Sequence, residues 1–308
     1  MAQAHDRAIA KETADMSQQK ERRIVPRKGP DFDLDGDIPK YWFGGDPFRS
    51  RFFDAMSLLF PEGEKFFIAC VRDYRDAIDD PELEAQVKDF IYQEGQHGHV
   101  HTQFNNRLKA QGIAVDHILE QQKKLMFGFF RERFSRRFTL GQTAAAEHMT
   151  ALMAHGFFGT DMFADADPRV RAMYAWHAVE EIEHKAVAFD VYQKVARGGY
   201  FTRAITMMLV SFTFPFHVFA IMHHMFRVDG LKNRWRVWAK GLWWLYGPGG
   251  LYPRMLGSYL YYYWPGFHPW KHGDMRTYKQ WNAHFERSGN AIAAADAVMA
   301  ANQEHAAA

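Results

Sequence analysis

Glu94 and His97 stand three residues apart in "FIYQEGQHGHVH", and Glu181 and His184 repeat the spacing in "WHAVEEIEHK". Residues three apart on a helix share one face. A carboxylate and an imidazole so placed offer a metal ion one oxygen and one nitrogen ligand. Both pairs sit in the middle of stripes that are otherwise apolar. Leu83, Val87, Phe90, Glu94, His97, His101, Phe104 and Leu108 form one i, i+3/i+4 series. Val170, Met173, His177, Glu181, His184, Ala188 and Val191 form another. An unpaired carboxylate on a buried stripe is costly, and a bound cation is the economical compensation.

Two further stripes carry one glutamate each. Glu64 shares a face with Phe60, Phe67 and Val71, and Glu147 with Leu140, Ala144, Ala151, Ala154 and Phe158. Glu62 lies roughly 200° from Glu64 around a helix and is expected to face solvent. The order along the chain is therefore Glu, Glu-x-x-His, Glu, Glu-x-x-His. Glu64 and Glu94 are 30 residues apart and Glu147 and Glu181 are 34 apart, so the halves read as a degenerate helix-hairpin repeat.

This is the ligand pattern of a carboxylate-bridged pair of metals inside a four-helix bundle. The expected ligands are Glu64, Glu94, His97, Glu147, Glu181 and His184. Iron, manganese or a mixed pair suits a set rich in carboxylate, and zinc suits it less well. Positions left open on the metals would take O2 or water. His101 and His177, each one turn from a ligand, read either as added ligands or as histidines supporting them. His99, His148, His155, Glu180 and Glu183 fall off the stripes or beside a ligand and read as supporting or surface groups. The small residues Thr143 to Ala146 read as room for a substrate or as close helix packing. No side chain is assigned acid–base or nucleophilic work of its own; the chemistry is expected at the metals.

The elements that must position these residues are helical throughout, because apolar residues recur at helical spacing and no β alternation of any length is present. A first helix is expected from Pro47 to Ile78, kinked or restarted at Pro61. Asp80 caps a second that runs to about Ala110, with Pro81, Glu82 and Glu84 in its first turn. "DHILEQQKKLMFGFFRERF" reads as a connecting helix. A third long helix covers Arg136 to Phe158, and a fourth starts at Asp167–Pro168 and ends near "ARGG". The expected architecture is all-α: a polar mobile tail over residues 1–37, a ferritin-like bundle over 38–200, and a helical extension over 201–308 that is apolar and aromatic, then polar.

Composition narrows the function. With 38 Lys and Arg against 36 Asp and Glu, the chain is too balanced for a nucleic-acid binder driven by charge. The single cysteine, Cys70, excludes an intramolecular disulfide framework and cysteine-based zinc or iron–sulfur sites. The N-terminal segment has no apolar core of a secretory signal, so a cytoplasmic setting is expected. Ala204 to Met222 has no formal charge, and Arg227, Lys232, Arg234, Arg236 and many Trp and Tyr follow it. Four readings stay open for it: a peripheral contact with the inner face of a membrane, an apolar substrate pocket, a buried helix that covers the bundle, or a span.

The stretches "FPEGEKFF", "FIYQEGQHGHVH", "TAAAEHMTALMAHGFF", "WHAVEEIEHKAVAFDVY" and "IPKYWFGGDPF" resemble a bacterial family catalogued as predicted metal-dependent hydrolases. The resemblance covers about Ile38 to Arg203. It implies metal binding at Glu64, Glu94, His97, Glu147, Glu181 and His184 and supplies no substrate. The ligand order is also similar to that of ferritin-like di-iron proteins, which are mostly oxidases and oxygenases. The expected function is thus an O2-dependent di-iron oxidase or oxygenase acting on a small apolar or lipid-like substrate. A hydrolase using metal-bound hydroxide and a non-enzymatic iron-binding protein are the alternatives. A homodimer is compatible with all three.

Overall fold

The computed structural model describes residues 23–271 and 275–307. Four helices form the centre: α1 (Pro47–Arg72), α2 (Pro81–Ala110), α4 (Arg136–Phe158) and α5 (Pro168–His184). Asp46, Asp80, Ser135 and Asp167 cap them, each accepting from backbone N–H groups of the first turn. Helix α3 (Val115–Lys123) continues as a π-helical turn, Lys124–Phe130, and a final turn, Arg131–Arg133. The chain is all-α, and among the described residues the one β contact is an isolated bridge between Phe43 and Ala166.

Each central helix runs antiparallel to its neighbours in the ring α1–α2–α5–α4. Ser57 meets Asn105 while Gly98 faces Pro61 and Glu64, and His101 meets His177 while Glu94 meets His184. Helices α2 and α4 consequently point the same way, so their connection must return along the bundle. The α3 segment does so: Ala114 starts it beside the end of α2, Gln122 donates to Leu58 O at mid-length, and Arg131 reaches Asp73 at the end of α1.

Helix α1 is continuous through Pro61 and ends at Arg72, with a separate 3₁₀ turn at Arg75–Ala77. The expected restart does not occur. A proline removes the N–H that would serve the carbonyl four residues earlier, here Ser57, and Asn105 Nδ2 donates to that oxygen at 2.8 Å. Glu62 is also not solvent-facing; it is 7% exposed and paired with Lys65 at 2.6 Å. The reason is that α1 is enclosed by α2, α3, α4 and helices of the extension, so none of its faces opens to water over most of its length.

Residues 23–37 are not tail. Ile24, Phe32 and Leu34 are each 2–3% exposed in the common core. The expected tail over residues 1–22 lies outside the described residues. Helix α5 is interrupted at Lys185–Ala186 and resumes as α6 (Val187–Asp190), ending in a π turn, Val191–Val195.

The extension comprises α7 (Tyr200–Val228), α8 (Trp235–Tyr246), α9 (Leu251–Tyr261), α10 (Arg276–Ser288) and α11 (Ala291–Ala307). It shares one apolar core with the bundle. α7 lies on α4 and α1, α9 on α4, and α11 on α5. Gly241 lets α8 approach α1 closely, since a Cβ there would run into the Phe48 ring. A buried network pins the far end of α7: Arg51, with no exposed surface, bonds Asp229 at 2.8 and 2.9 Å and Asp54 at 3.0 Å, and Arg107 also reaches Asp54. Among the described residues α7 is the one helix long and apolar enough to cross a membrane, by length and composition.

Candidate metal centre

The stripes read from the sequence converge. Ligand-type atoms of Glu94, His97, Glu181 and His184 lie within 4.8 Å of one another, as do those of Glu64, His97 and His177. The two groups share His97. Glu147 adjoins them, its Oε2 lying 3.9 Å from His184 Nε2. His184 stands between three carboxylates, with Nδ1 at 3.4 Å from Glu94 and Nε2 at 3.6 Å from Glu181. Every one of these side chains is 5% exposed or less.

Whether a cation fits can be judged from the atoms left over. Both carboxylate oxygens of Glu64, Glu94 and Glu147, both ring nitrogens of His184 and Nδ1 of His97 are buried with no hydrogen-bond partner among the described residues. Buried polar groups are nearly always paired. Nine unpaired atoms in one cluster, all lone-pair bearers or able to become so, are the donor set for metal ions of hard-to-borderline character.

The electrostatics agree. Burial, reinforced by neighbouring glutamates, pushes the carboxyls of Glu64, Glu94 and Glu147 well above their usual range. Burial also works to raise Glu181, but His184 and His177 outweigh it and hold that carboxyl well below its usual range. Burial, helped by His177, keeps His97 and His101 neutral. A neutral imidazole is the form that binds metal.

A family model described as "Predicted metal-dependent hydrolase" matches residues 26–273. The chain belongs to this family. The match reaches well beyond the stretches that carry the resemblance in sequence, and takes in Arg27 and helices α7 to α9 of the extension. No curated protein and no solved structure matches the chain. Membership in the metal-dependent hydrolase family and the buried carboxylate–histidine cluster point to one site.

The surroundings include Glu180 and Glu183, read from the sequence as supporting or surface groups, and Arg27, Gln93, Thr150, Trp176 and Tyr278, which sequence reasoning missed. Glu180 Oε2 is 3.0 Å from His97 Nε2, which leaves His97 Nδ1 aimed at the cluster. Arg27 and Trp176 in turn hold Glu180 Oε1, at 3.3 and 3.0 Å. Glu183 is bonded by Arg27 at 2.7 and 3.0 Å, by Gln93 at 2.9 Å and by Tyr278 at 2.8 Å. Arg27 lies in the stretch expected to be tail; the apolar residues Ile24, Phe32 and Leu34 around it were the available signal. Thr150, one turn beyond Glu147, bonds Glu181 Oε2.

His177 and His101 are unequal. His177 places Nε2 at 3.0 Å from Glu181 Oε1 and belongs to the second ligand group. His101 has both nitrogens engaged, Nε2 with His177 at 2.8 Å and Nδ1 with Ser57 Oγ at 2.8 Å. Asn105 completes the chain through Ser57 at 2.7 Å. Asn105 was legible as the next polar residue on the stripe after His101. His99 is exposed and His148 is buried against Tyr262 and Phe267, away from the cluster.

Gly98 has a positional role. A Cβ at this site would stand 3.1 Å from Glu64 Oε2, so glycine leaves the carboxylate its place between α1 and α2. Gly98→Ala is expected to gain up to about 1 kcal/mol of helix stability while displacing Glu64 and weakening metal binding. Denaturant unfolding of the metal-free protein and a competitive metal titration would show the two effects with opposite signs. Unchanged metal affinity would remove Glu64 from the site.

Beside the cluster an apolar cavity of about 130 Å³ opens between α1, α4, the π turn of residues 124–130 and α7. Glu64 and Thr150 form part of its wall, together with Ala146 from the small-residue run.

Proposed function

We propose that this chain is a dinuclear metal enzyme of ferritin-like architecture that uses O2 to oxidise an apolar substrate. The observation that carries the reading is the set of four glutamates and two histidines, one acid from each of four antiparallel helices, converging with nine of their twelve side-chain oxygen and nitrogen atoms unpartnered among the described residues. The return connection through α3 supports it, since ferritin-like bundles have one long crossover. Glu64, Glu94, His97, Glu147, Glu181 and His184 would hold the metals, with His177 beside them. A bound pair of iron or manganese ions supplies the reduction of O2 coupled to substrate oxidation.

The chain's own residues do the rest. Glu180, fixed by Arg27 and Trp176, orients His97. Thr150 fixes Glu181. His177 faces Glu181 with Nε2 and His101 with Nδ1, so it can pass a proton between the cluster and the Ser57–Asn105 end of the chain. Phe60 packs on both His101 and His177 and keeps water from that path.

The family description favours a second reading, hydrolysis at the same metals. The two separate in one experiment. The metal-free protein is loaded anaerobically with iron(II) or with zinc. O2 uptake is then followed with an electrode, and hydrolysis with a panel of esters and amides. The iron form is expected to consume O2 and the zinc form to be inert. Turnover by the zinc form with no O2 uptake by the iron form would establish the hydrolase.

A further inference from the structure

The outer face of α7 is apolar and uncovered. Phe201, Ile205, Met208, Phe212 and Phe216 are 79, 52, 51, 74 and 68% exposed. At 100° per residue they span an arc of about 80°, so they form one stripe. The opposite side of the helix, including Arg203, Met207, Val210, Ile221 and Met225, is buried on the bundle. One side of α7 is thus committed to protein while the other presents a continuous apolar face.

Aromatic residues flank the stripe. Near the start of α7, Arg203 bonds the carbonyl of Trp264, itself 63% exposed. Near its end, Phe219 and Phe226 contact Trp238 of α8. That helix exposes Trp235 and Trp243 by 70 and 68%. Exposed Trp bordering an apolar face suits the headgroup level of a bilayer.

Charge identifies the occupant. Between Val191 and Lys271 the chain has ten Lys and Arg and a single acid, Asp229, although the whole chain is nearly balanced. Asp229 is already taken up by Arg51 and Lys40. Lys232, Arg234 and Arg236 are exposed on and before α8, and Lys240, also exposed, pairs with Asp46 at 3.5 Å. An apolar stripe with a one-sided basic border is complementary to an anionic membrane surface, whereas in a symmetric pair of copies these like charges would face each other across an isologous contact.

The same helix forms a wall of the cavity at the cluster. Val210, Thr213, Phe214 and His217 line the space that ends at Glu64. With about 130 Å³ of free space and a mostly apolar lining, the cavity suits a hydrocarbon group. We infer that the protein docks through the outer face of α7 on an anionic bilayer and takes an acyl chain of a lipid into the cavity that ends at Glu64. The acyl-chain part rests on the metal-enzyme reading above; the docking does not.

The full-length chain is tested by flotation with vesicles of phosphatidylcholine alone and of phosphatidylcholine with phosphatidylglycerol. It should float with the mixed vesicles, and less with the neutral ones. Phe212→Glu with Phe216→Glu, at positions too exposed to affect the core, should lower binding by roughly tenfold or more. No binding by the parent chain would overturn the docking. So would a dimer in sedimentation that the double variant dissociates without any flotation, which would assign the stripe to a second copy. Chain entry is read by a fluorescent fatty acid, cis-parinaric acid. Val210→Trp, checked for native helicity by circular dichroism, should lower its affinity by about tenfold and leave flotation intact. If it refolds and binds the probe equally well, the cavity is not the acyl site; Ala146→Phe, filling the cavity from α4, gives the same reading should Val210→Trp not fold. Metal content is measured on each preparation. Loss of metal with flotation retained would sink the metal-enzyme reading and leave the docking standing.

Discussion

Glu94→Ala is expected to purify without its metals, where the parent chain retains about two ions. Glu94 Oε1 is 3.4 Å from His184 Nδ1, and neither of its oxygens has another partner. Removing it takes a donor from the group it forms with His97, Glu181 and His184 and leaves His184 unsupported on that side. The effect should exceed the roughly 10–100-fold lost when only a supporting hydrogen bond is removed. The control is His99→Ala on the exposed face of the same helix. Elemental analysis by mass spectrometry, with circular dichroism to show retained helicity, decides it. Full metal content in folded Glu94→Ala, or equal loss in His99→Ala, would mean that the metal sits elsewhere.

The second expected result is a change of sign. In the metal-free protein Glu94→Gln should raise stability, by about 1–3 kcal/mol; in the metal-loaded protein it should lower it. Without a cation, Glu94 is a buried carboxyl crowded by Glu147, Glu181 and Glu64. The amide removes that crowding, yet it is a poor ligand. The pH dependence follows from the same groups. A carboxyl raised in the fold binds its proton more tightly there than in the unfolded chain, so its contribution is present below the ordinary value of 4.5 and is lost as pH rises toward the folded value. Neutral His97 and His101 act in the opposite sense, costing stability below their ordinary 6.5 and nothing above it. Glu181, held low, contributes fully above 4.5. Above 4.5 the raised carboxyls should lower the Tm of the metal-free protein as pH rises, and from about 6.5 upward His97 and His101 no longer offset that fall. Metal binding displaces the same protons, and loading should therefore raise Tm most at the alkaline end. A metal-free Tm that is flat over this window, in parent and Glu94→Gln alike, would contradict the crowding.

Much of this site was legible because its signal is local. A glutamate in the middle of an apolar i, i+3/i+4 series is visible without knowing what the helix packs on, and four such series fixed both the helices and the inward acids. Helix starts were legible for the same reason, since Asp46, Asp80, Ser135 and Asp167 act on their own first turns. What escaped depends on distant partners. Pro61 breaks a helix unless something serves the carbonyl of Ser57, and Asn105 is 48 residues away. Glu62 faces away from the stripe, but α1 has neighbours on every side. Arg27 sits in a polar run and finds Glu183 at a separation of 156 residues. The outward stripe of α7 and its inward side are both apolar, so periodicity could not tell which one the bundle covers.

The clamp at Glu183 also has a bearing on biosynthesis. Its donors come from Arg27 near one end of the chain and from Tyr278 near the other, with Asn282 accepting from Arg27 at 2.8 Å. On a ribosome, the helices bearing all the glutamates emerge well before α10. Until that helix is released, Glu183 lacks one of its partners and Arg27 another, and the support they give to Glu180 and His97 is incomplete. The surroundings of the centre are therefore completed only once α10 has packed back on them, later than the helices that bear the ligand glutamates.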